Sequence, residues 1–499
     1  MLPAFAPRMP RGASWGWSAI AAVALMGPVP LAFAQVPAQP KADTSKAAAK
    51  PEATKPEVEK SEPPSDEGPA AEVFLDPNAK KALAKIEPLT ISGPAMKIGS
   101  GDKDASTIQN MAVGSIAIDA NFLRRYVDFC AVELSKRDNI NAIISPPPNM
   151  SPAAARGMER AVDALTDPML RARANDKKDF LTAYNKVLFD SSLVKLLENN
   201  LFSRIDAMIV LGMSGSTAPN ALDLYVVQIK KPEQVIWVKM WAAQGLTNAT
   251  RQGKDNLDAS KTNQAAEALI ALLDSDPKLP YPVQMRALEA LGSLRLAWNN
   301  ARGKIDAASV AMRFLADPEA KPEVRAWAAW ALGMMRVPGQ VTPYNFELLG
   351  HEIGDLALDL GRKIVQEYDD NAANFERHKD QATHLTSLLV FRVYPALSGQ
   401  DGVSESGLLR STHPGLAGSA PAKAFLNKLD ARVKDVARES YELLRAGGTA
   451  QKTRRDDLNA RINDLKTLLS QPSPKDRHLL PGGPEFPPMA SQVAGAGRR

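Results

Sequence analysis

The strongest constraint in this sequence is a helical segment that recurs with small residues at fixed places. Val283-Gln284-Met285-Arg286-Ala287-Leu288-Glu289-Ala290-Leu291-Gly292 aligns without gaps on Val324-Arg325-Ala326-Trp327-Ala328-Ala329-Trp330-Ala331-Leu332-Gly333. A third copy, 235–245, is one residue longer, and a fainter one spans 204–212. The terminal glycines are spaced 33, 47 and 41 residues apart. Before each of the two best copies lies another amphipathic helix, at 264–273 and 305–316, closed by Asp276-Pro277 and Asp317-Pro318. One such helix pair cannot bury its own apolar face, so the pairs must stack on one another. The alanines predict close helix approach. Each terminal glycine predicts a helix end in the left-handed conformation.

From about 152 to 337 apolar residues recur at spacings of three and four, as in Ala265, Leu269, Leu272 and Leu273. Breaks are expected at Asp167-Pro168, Asp276-Pro277, Tyr281-Pro282, Asp317-Pro318 and Lys321-Pro322, because proline disrupts a helix interior. The stretch Pro322-Glu323-Val324-Arg325-x-x-Ala328-x-x-Ala331-Leu332-Gly333, matched by Ala287, Ala290, Leu291 and Gly292, resembles the HEAT repeats of armadillo-like helical proteins. The resemblance is clearest over about 262–337 and weaker over 200–250. It implies a solenoid of helix pairs and no particular activity. A polar insertion at 248–263 predicts a surface loop.

The flanks read differently. Residues 338–470 predict long helices at about 345–368, 374–397, 421–446 and 452–469, forming a hairpin or bundle after the solenoid. Residues 73–151 predict an irregular region with one short helix near 77–86, a second helix over 119–137 and a proline-rich loop over 141–149. The fold class is all-α. Residues 1–34 carry Arg8 and Arg11, a short apolar run at 19–26 and Ala32-Phe33-Ala34 before Gln35, the order of a signal peptide cleaved near Ala34. No later stretch reaches 18 uninterrupted apolar residues, so no transmembrane span is expected after cleavage. The product is expected in the periplasm or secreted space. Residues 35–72, rich in Pro, Ala, Lys and Glu, read as a disordered tether, and 471–499 as a disordered Pro/Gly-rich tail. Cys130, the single cysteine, sits in an apolar helical segment and reads as buried and inert.

Lys and Arg number 61 against 56 Asp and Glu, a net charge of +5, too balanced to predict a nucleic-acid partner. One cysteine excludes a disulfide framework. Neither a phosphate-binding glycine loop nor a Gly-x-Ser-x-Gly elbow occurs, and no cofactor is expected. His351-Glu352-Ile353-Gly354-Asp355 departs from the zinc-protease pattern at its last position. Asp355 and Asp359 share a helix face, and a hairpin turning near Asn371 would bring His384 opposite them. Asp355, Asp359 and His384 are therefore the candidate metal ligands. Trp237, Trp241, Trp327 and Trp330 occupy equivalent helices of two repeats; they predict core packing, or an aromatic surface facing a partner. The expected function is an exported, non-catalytic scaffold or protein-interaction module whose partner lies in the envelope or secreted space. The alternatives are a metal-dependent enzyme or ligand-binding protein using the 345–392 helical pair, and envelope-surface binding through the tail.

Overall fold

Helices begin where a short polar side chain can accept from the first free backbone N–H groups. Asp119, Asn200, Asp258, Asp306 and Asn345 do so for Phe122, Phe202, Ser260, Ser309 and Leu348, at 2.9–3.0 Å. Pro219, Pro282 and Pro322 occupy first turns, where the missing N–H removes no intrahelical bond. The computed structural model describes residues 77–487, apart from 92–94, 100, 145–149, 151–155, 254–256, 277–278, 300–304 and 471–475. The expected signal (1–34) and tether (35–72) lie outside the described residues, as do 488–499.

The helices are α1 (Pro77–Ala84), α2 (Lys103–Val113), α3 (Ala120–Ser135), α4 (Arg137–Ile144), α5 (Gly157–Ala174), α6 (Lys178–Asp190), α7 (Leu201–Ser214), α8 (Pro219–Lys230) and α9 (Ile236–Gly253). They continue as α10 (Ala259–Ser275), α11 (Tyr281–Leu294), α12 (Ala307–Ala316), α13 (Pro322–Met334) and α14 (Phe346–Asn371). Asp380–Leu388 runs through a π turn, Leu389–Val393, into Tyr394–Ser398; together these are α15. Ala420–Arg445 is α16 and Thr449–Leu469 is α17. A two-stranded antiparallel ribbon, Trp298–Asn299 with Ile305–Asp306, is the only sheet among the described residues. The fold is all-α, and no described helix is long and apolar enough to cross a membrane.

Helices α7, α9, α11 and α13 pack side by side in chain order. Helices α8, α10 and α12 form a second layer, each against the helix that follows it. The stacking extends past Pro338: α14 lies against α12 and α13, and α15 against α13. Helices α16 and α17 then pack on each other and on α14.

The repeat glycines explain how the row packs, and their role differs from the one expected. Gly212, Gly292 and Gly333 lie inside their helices, not at left-handed ends. A Cβ on Gly212 would meet the Trp241 carbonyl oxygen at 2.8 Å; on Gly292, the Ala331 Cα at 2.6 Å; on Gly333, the Ala396 Cα at 2.5 Å. Each thus admits the backbone of the helix packed against it, α9, α13 and α15 in turn. The left-handed ends fall later, at Gly215 (φ 56°) and Arg295 (φ 58°).

Other boundaries also move. Pro168 lies buried inside α5 and does not end it; the buried Leu165, Met169 and Ala172 on the same helix hold the chain helical across it. The expected surface loop at 248–263 is helical at both ends, in α9 through Gly253 and in α10 from Ala259. Helices α2 and α4 fall in the region read as irregular, and α4 takes in residues 141–144 of the expected proline-rich loop. Cys130 is fully buried, and burial pushes its thiol up. Within the expected tail, residues 476–487 pack on α14: Arg477 pairs with Glu352 at 2.5 Å and donates to the Phe486 carbonyl at 2.9 Å. A buried carboxylate needs a cation, and the tail supplies it.

Candidate functional site

The three candidate metal ligands do not converge. Asp355 and Asp359 both face Arg325, at 3.7 and 3.5 Å, and Asp359 also takes Lys363 at 3.0 Å. Arg325 lies in α13, so α14 spends these carboxylates on the neighbouring helix. His384 instead meets Glu323 of α13, at 2.9 Å. Burial raises the Glu323 carboxyl, but the hydrogen bond and charge of His384, a backbone N–H and Lys321 together outweigh this and hold it below its usual range. Among the described residues, no group of three or more His, Cys, Asp or Glu side chains is arranged to hold a metal ion. The Asp380–Leu388 part of α15 does pack on α14, but His384 is engaged by Glu323 of α13 and Asp355 and Asp359 by Arg325, so the three do not meet.

The tryptophans divide. Trp241, Trp327 and Trp330 are buried and Trp237 is half-buried. Trp327 and Trp330 form an edge-to-face pair, with ring centroids 5.4 Å apart. They pack the row rather than offering an open aromatic surface, although Trp330 reaches the wall of a cavity.

That cavity, about 580 Å³, lies at the C-terminal ends of the row. Thr250, Arg251, Arg295, Trp330 and Arg336 line it, with Val403 and Ser404 from the loop after α15. A second cavity, about 930 Å³, is lined by Arg173, Asn185, Thr217 and Gln252. Arg251 lines both, so the two adjoin at the C-terminal end of α9, and together they are the candidate groove. Arginines at these ends suit the negative pole of each helix. Arg173 donates to the Met213 and Ser214 carbonyls at 2.6 and 2.7 Å. Arg295 and Arg336 hold the loop, through the Ser404 carbonyl and through Glu405 at 3.0 Å.

Behind Arg251 lies a denser cluster. Glu289, 1% exposed, takes Arg251 at 2.7 Å on one oxygen and Arg286 at 2.5 Å on the other. A third arginine, Arg392, lies with its guanidinium 3.9 Å from the Trp327 ring centroid. Its own hydrogen bond goes to the adjacent Phe391 carbonyl at 2.8 Å. Burial lowers the Arg392 guanidinium to about 10; Glu289 opposes this, while Arg251 and Arg286 add to it. Arg392 projects from the π turn of α15, where the Tyr394 N–H reaches back to the Leu389 carbonyl. Such turns recur at functional sites because they re-aim a side chain. Sequence reasoning passed over Arg392; the available signal was one charge inside Leu388-Leu389-Val390-Phe391-Arg392-Val393.

The rings of His384, His413 and His478 bond Glu323 and the carbonyls of Val341 and Gly483, not a hydroxyl or thiol. His351 stacks on Phe425, centroids 4.4 Å apart, and its Nδ1 has no partner among the described residues. Comparison with protein-family models, with curated proteins and with solved structures found no match.

Proposed function

We propose that this chain is an exported, non-catalytic HEAT-like solenoid that binds a protein partner along the groove at the ends of its α7–α9–α11–α13 row. The observation that carries this reading is the groove itself. It lies at the ends of α7, α9, α11 and α13, and its lining includes Arg173, Arg251, Arg295 and Arg336. The order of charge, apolar run and small residues in 1–34 supports export. The repeat pattern of 262–337 supports the HEAT-like assignment.

The test is site-specific photo-crosslinking in cells, with the cross-linker placed in turn at Thr250, in the groove, and at Val227, 54% exposed on the other layer. The expected result is one discrete protein adduct, identified by mass spectrometry, from Thr250 and not from Val227. Equal labelling from both positions, or none from Thr250, refutes the groove as the binding surface. Sequencing the N-terminus of the protein recovered from the envelope fraction should begin at Gln35. An intact Met1 there refutes cleavage.

A further inference from the structure

The cavity of about 580 Å³ brings two chemistries together in one lining. One part is apolar. Leu294, Trp330 and Met334 are otherwise buried, and Val403 adds a half-buried side chain from the loop after α15. The charged part is arginine alone: no Asp or Glu is among the described residues that line it. Arg295 and Arg336 hold the loop. Arg251 is 42% exposed and, among the described residues, is engaged only through Nη2, by Glu289. A guanidinium carries five N–H groups, so Arg251 keeps donors for a second acceptor. The Ser293 Oγ is enclosed at this wall without a partner among the described residues. The loop side of the cavity is already set in place. Ser406 accepts from the Gln400 N–H at 2.8 Å and donates to the Val403 carbonyl at 2.9 Å, and the Gly407 N–H donates to the Gly333 carbonyl at 2.6 Å. A ligand that uses Val403 therefore need not order this loop first.

Resting on the groove reading above, we propose that this cavity receives the C-terminal residue of the protein partner: an apolar residue whose side chain meets Trp330, Met334 and Val403 and whose terminal carboxylate meets Arg251. The chain end is the one place in a protein where an apolar side chain and a carboxylate sit on the same carbon atom. Asp and Glu carry the charge without the apolar body, and an internal Leu or Phe carries the body without the charge. Burying the side chain is favourable in proportion to its apolar area. The carboxylate suits a guanidinium, which can meet both oxygens with parallel N–H bonds. Capture of a terminal carboxylate is a general mode of peptide recognition. The cavity also has the size of a site for a small group, ~300–1,000 Å³, as a single chain end requires.

The test uses protein purified after expression of the whole chain and a fluorescein-labelled hexapeptide, Gly-Ser-Gly-Ser-Ala-Leu, with a free C-terminal carboxylate. Fluorescence anisotropy reads binding. The wild type should bind saturably, with Kd below about 1 mM. The same peptide as its C-terminal amide, and the peptide ending in Ser, should each bind at least tenfold more weakly. Val403→Asp should weaken binding at least tenfold at unchanged Tm, since it removes apolar contact and repels the carboxylate, whereas Val403→Leu should bind as the wild type does. Arg251→Gln should weaken binding of the acid at least tenfold and leave binding of the amide unchanged, a difference that general unfolding would not produce. Val227→Asp, on the other layer, is the control and should change nothing. Equal binding of acid and amide overturns the proposal, as does undiminished binding by Val403→Asp or absence of binding by the wild type. Competition by octanoate as effective as by unlabelled peptide also overturns it, by assigning the cavity to free amphiphilic acids. Failure of the peptide while the Thr250 adduct still forms removes the chain-end reading and leaves the groove; failure of both removes the groove too.

Discussion

Replacing Gly333 with alanine adds one methyl group where α13 meets α15 most closely. The new Cβ would lie 2.5 Å from the Ala396 Cα, 2.6 Å from its carbonyl oxygen and 2.9 Å from its carbonyl carbon. Carbon atoms in good contact sit about 3.5–4.0 Å apart, so α15 must retreat by about 1 Å. All three obstacles are backbone, and no rotamer change relieves them. Overpacking costs about 1–3 kcal/mol, and a rigid neighbour places this site near 3 kcal/mol. Alanine's helix propensity returns about 1 kcal/mol, leaving a net loss of about 2 kcal/mol. Urea titration by circular dichroism measures the total, and amide exchange shows whether the loss is local to α13 and α15, as expected for stacked repeats. Gly447→Ala, with nothing within 4 Å of the added carbon, is the control, and should change stability by less than about 0.5 kcal/mol. A Gly333→Ala protein as stable as the wild type would refute the close-approach argument. So would rescue by Ala396→Gly, because the clash is with main-chain atoms that the second substitution leaves in place.

Three further outcomes test other parts of the structure. His351, 1% exposed, is held down to about 4 by burial first and by Arg477 second. Its folded value lies below the unfolded one, so its contribution to stability is intact above about pH 6.5 and is lost as pH falls toward 4. His351→Gln should therefore gain on the wild type across that window, by about 3 kcal/mol at its lower end; parallel pH–stability curves would sink the assignment. Arg477→Met leaves Glu352, 2% exposed, without its cation, and should cost about 3–5 kcal/mol in urea, largely recovered by adding Glu352→Leu. Chelator should leave the melting temperature unchanged, since Arg325 and Lys363 hold Asp355 and Asp359 and Glu323 holds His384; a drop that zinc restores would reopen the metal reading.

Local sequence made most helices legible. The long helices after Pro338 fall within a few residues of their expected ends, at Phe346–Asn371, Ala420–Arg445 and Thr449–Leu469, because apolar spacing and flanking breakers are properties of neighbouring residues. The Asp167-Pro168 break failed for the opposite reason. A proline's local penalty of about 3 kcal/mol is smaller than what several buried side chains on one helix contribute, and burial is not local. The candidate site was the least legible part. Asp355, Asp359 and His384 have the right types and spacings, yet their partners, Arg325 and Glu323, come from a helix earlier in the chain.

What this sequence determines by itself is a row of alanine- and glycine-rich helices that must stack, since none of them can bury its apolar face alone. The tertiary structure decided what the glycines do. It turned them from helix ends into contact points, because the next helix approaches to within 2.5–2.8 Å of where a Cβ would stand. It also decided which charges meet. Glu289 takes Arg251 on one oxygen and Arg286 on the other, and a pairing between Arg251 and Glu289, which lie far apart in sequence, depends on a distance that only packing sets.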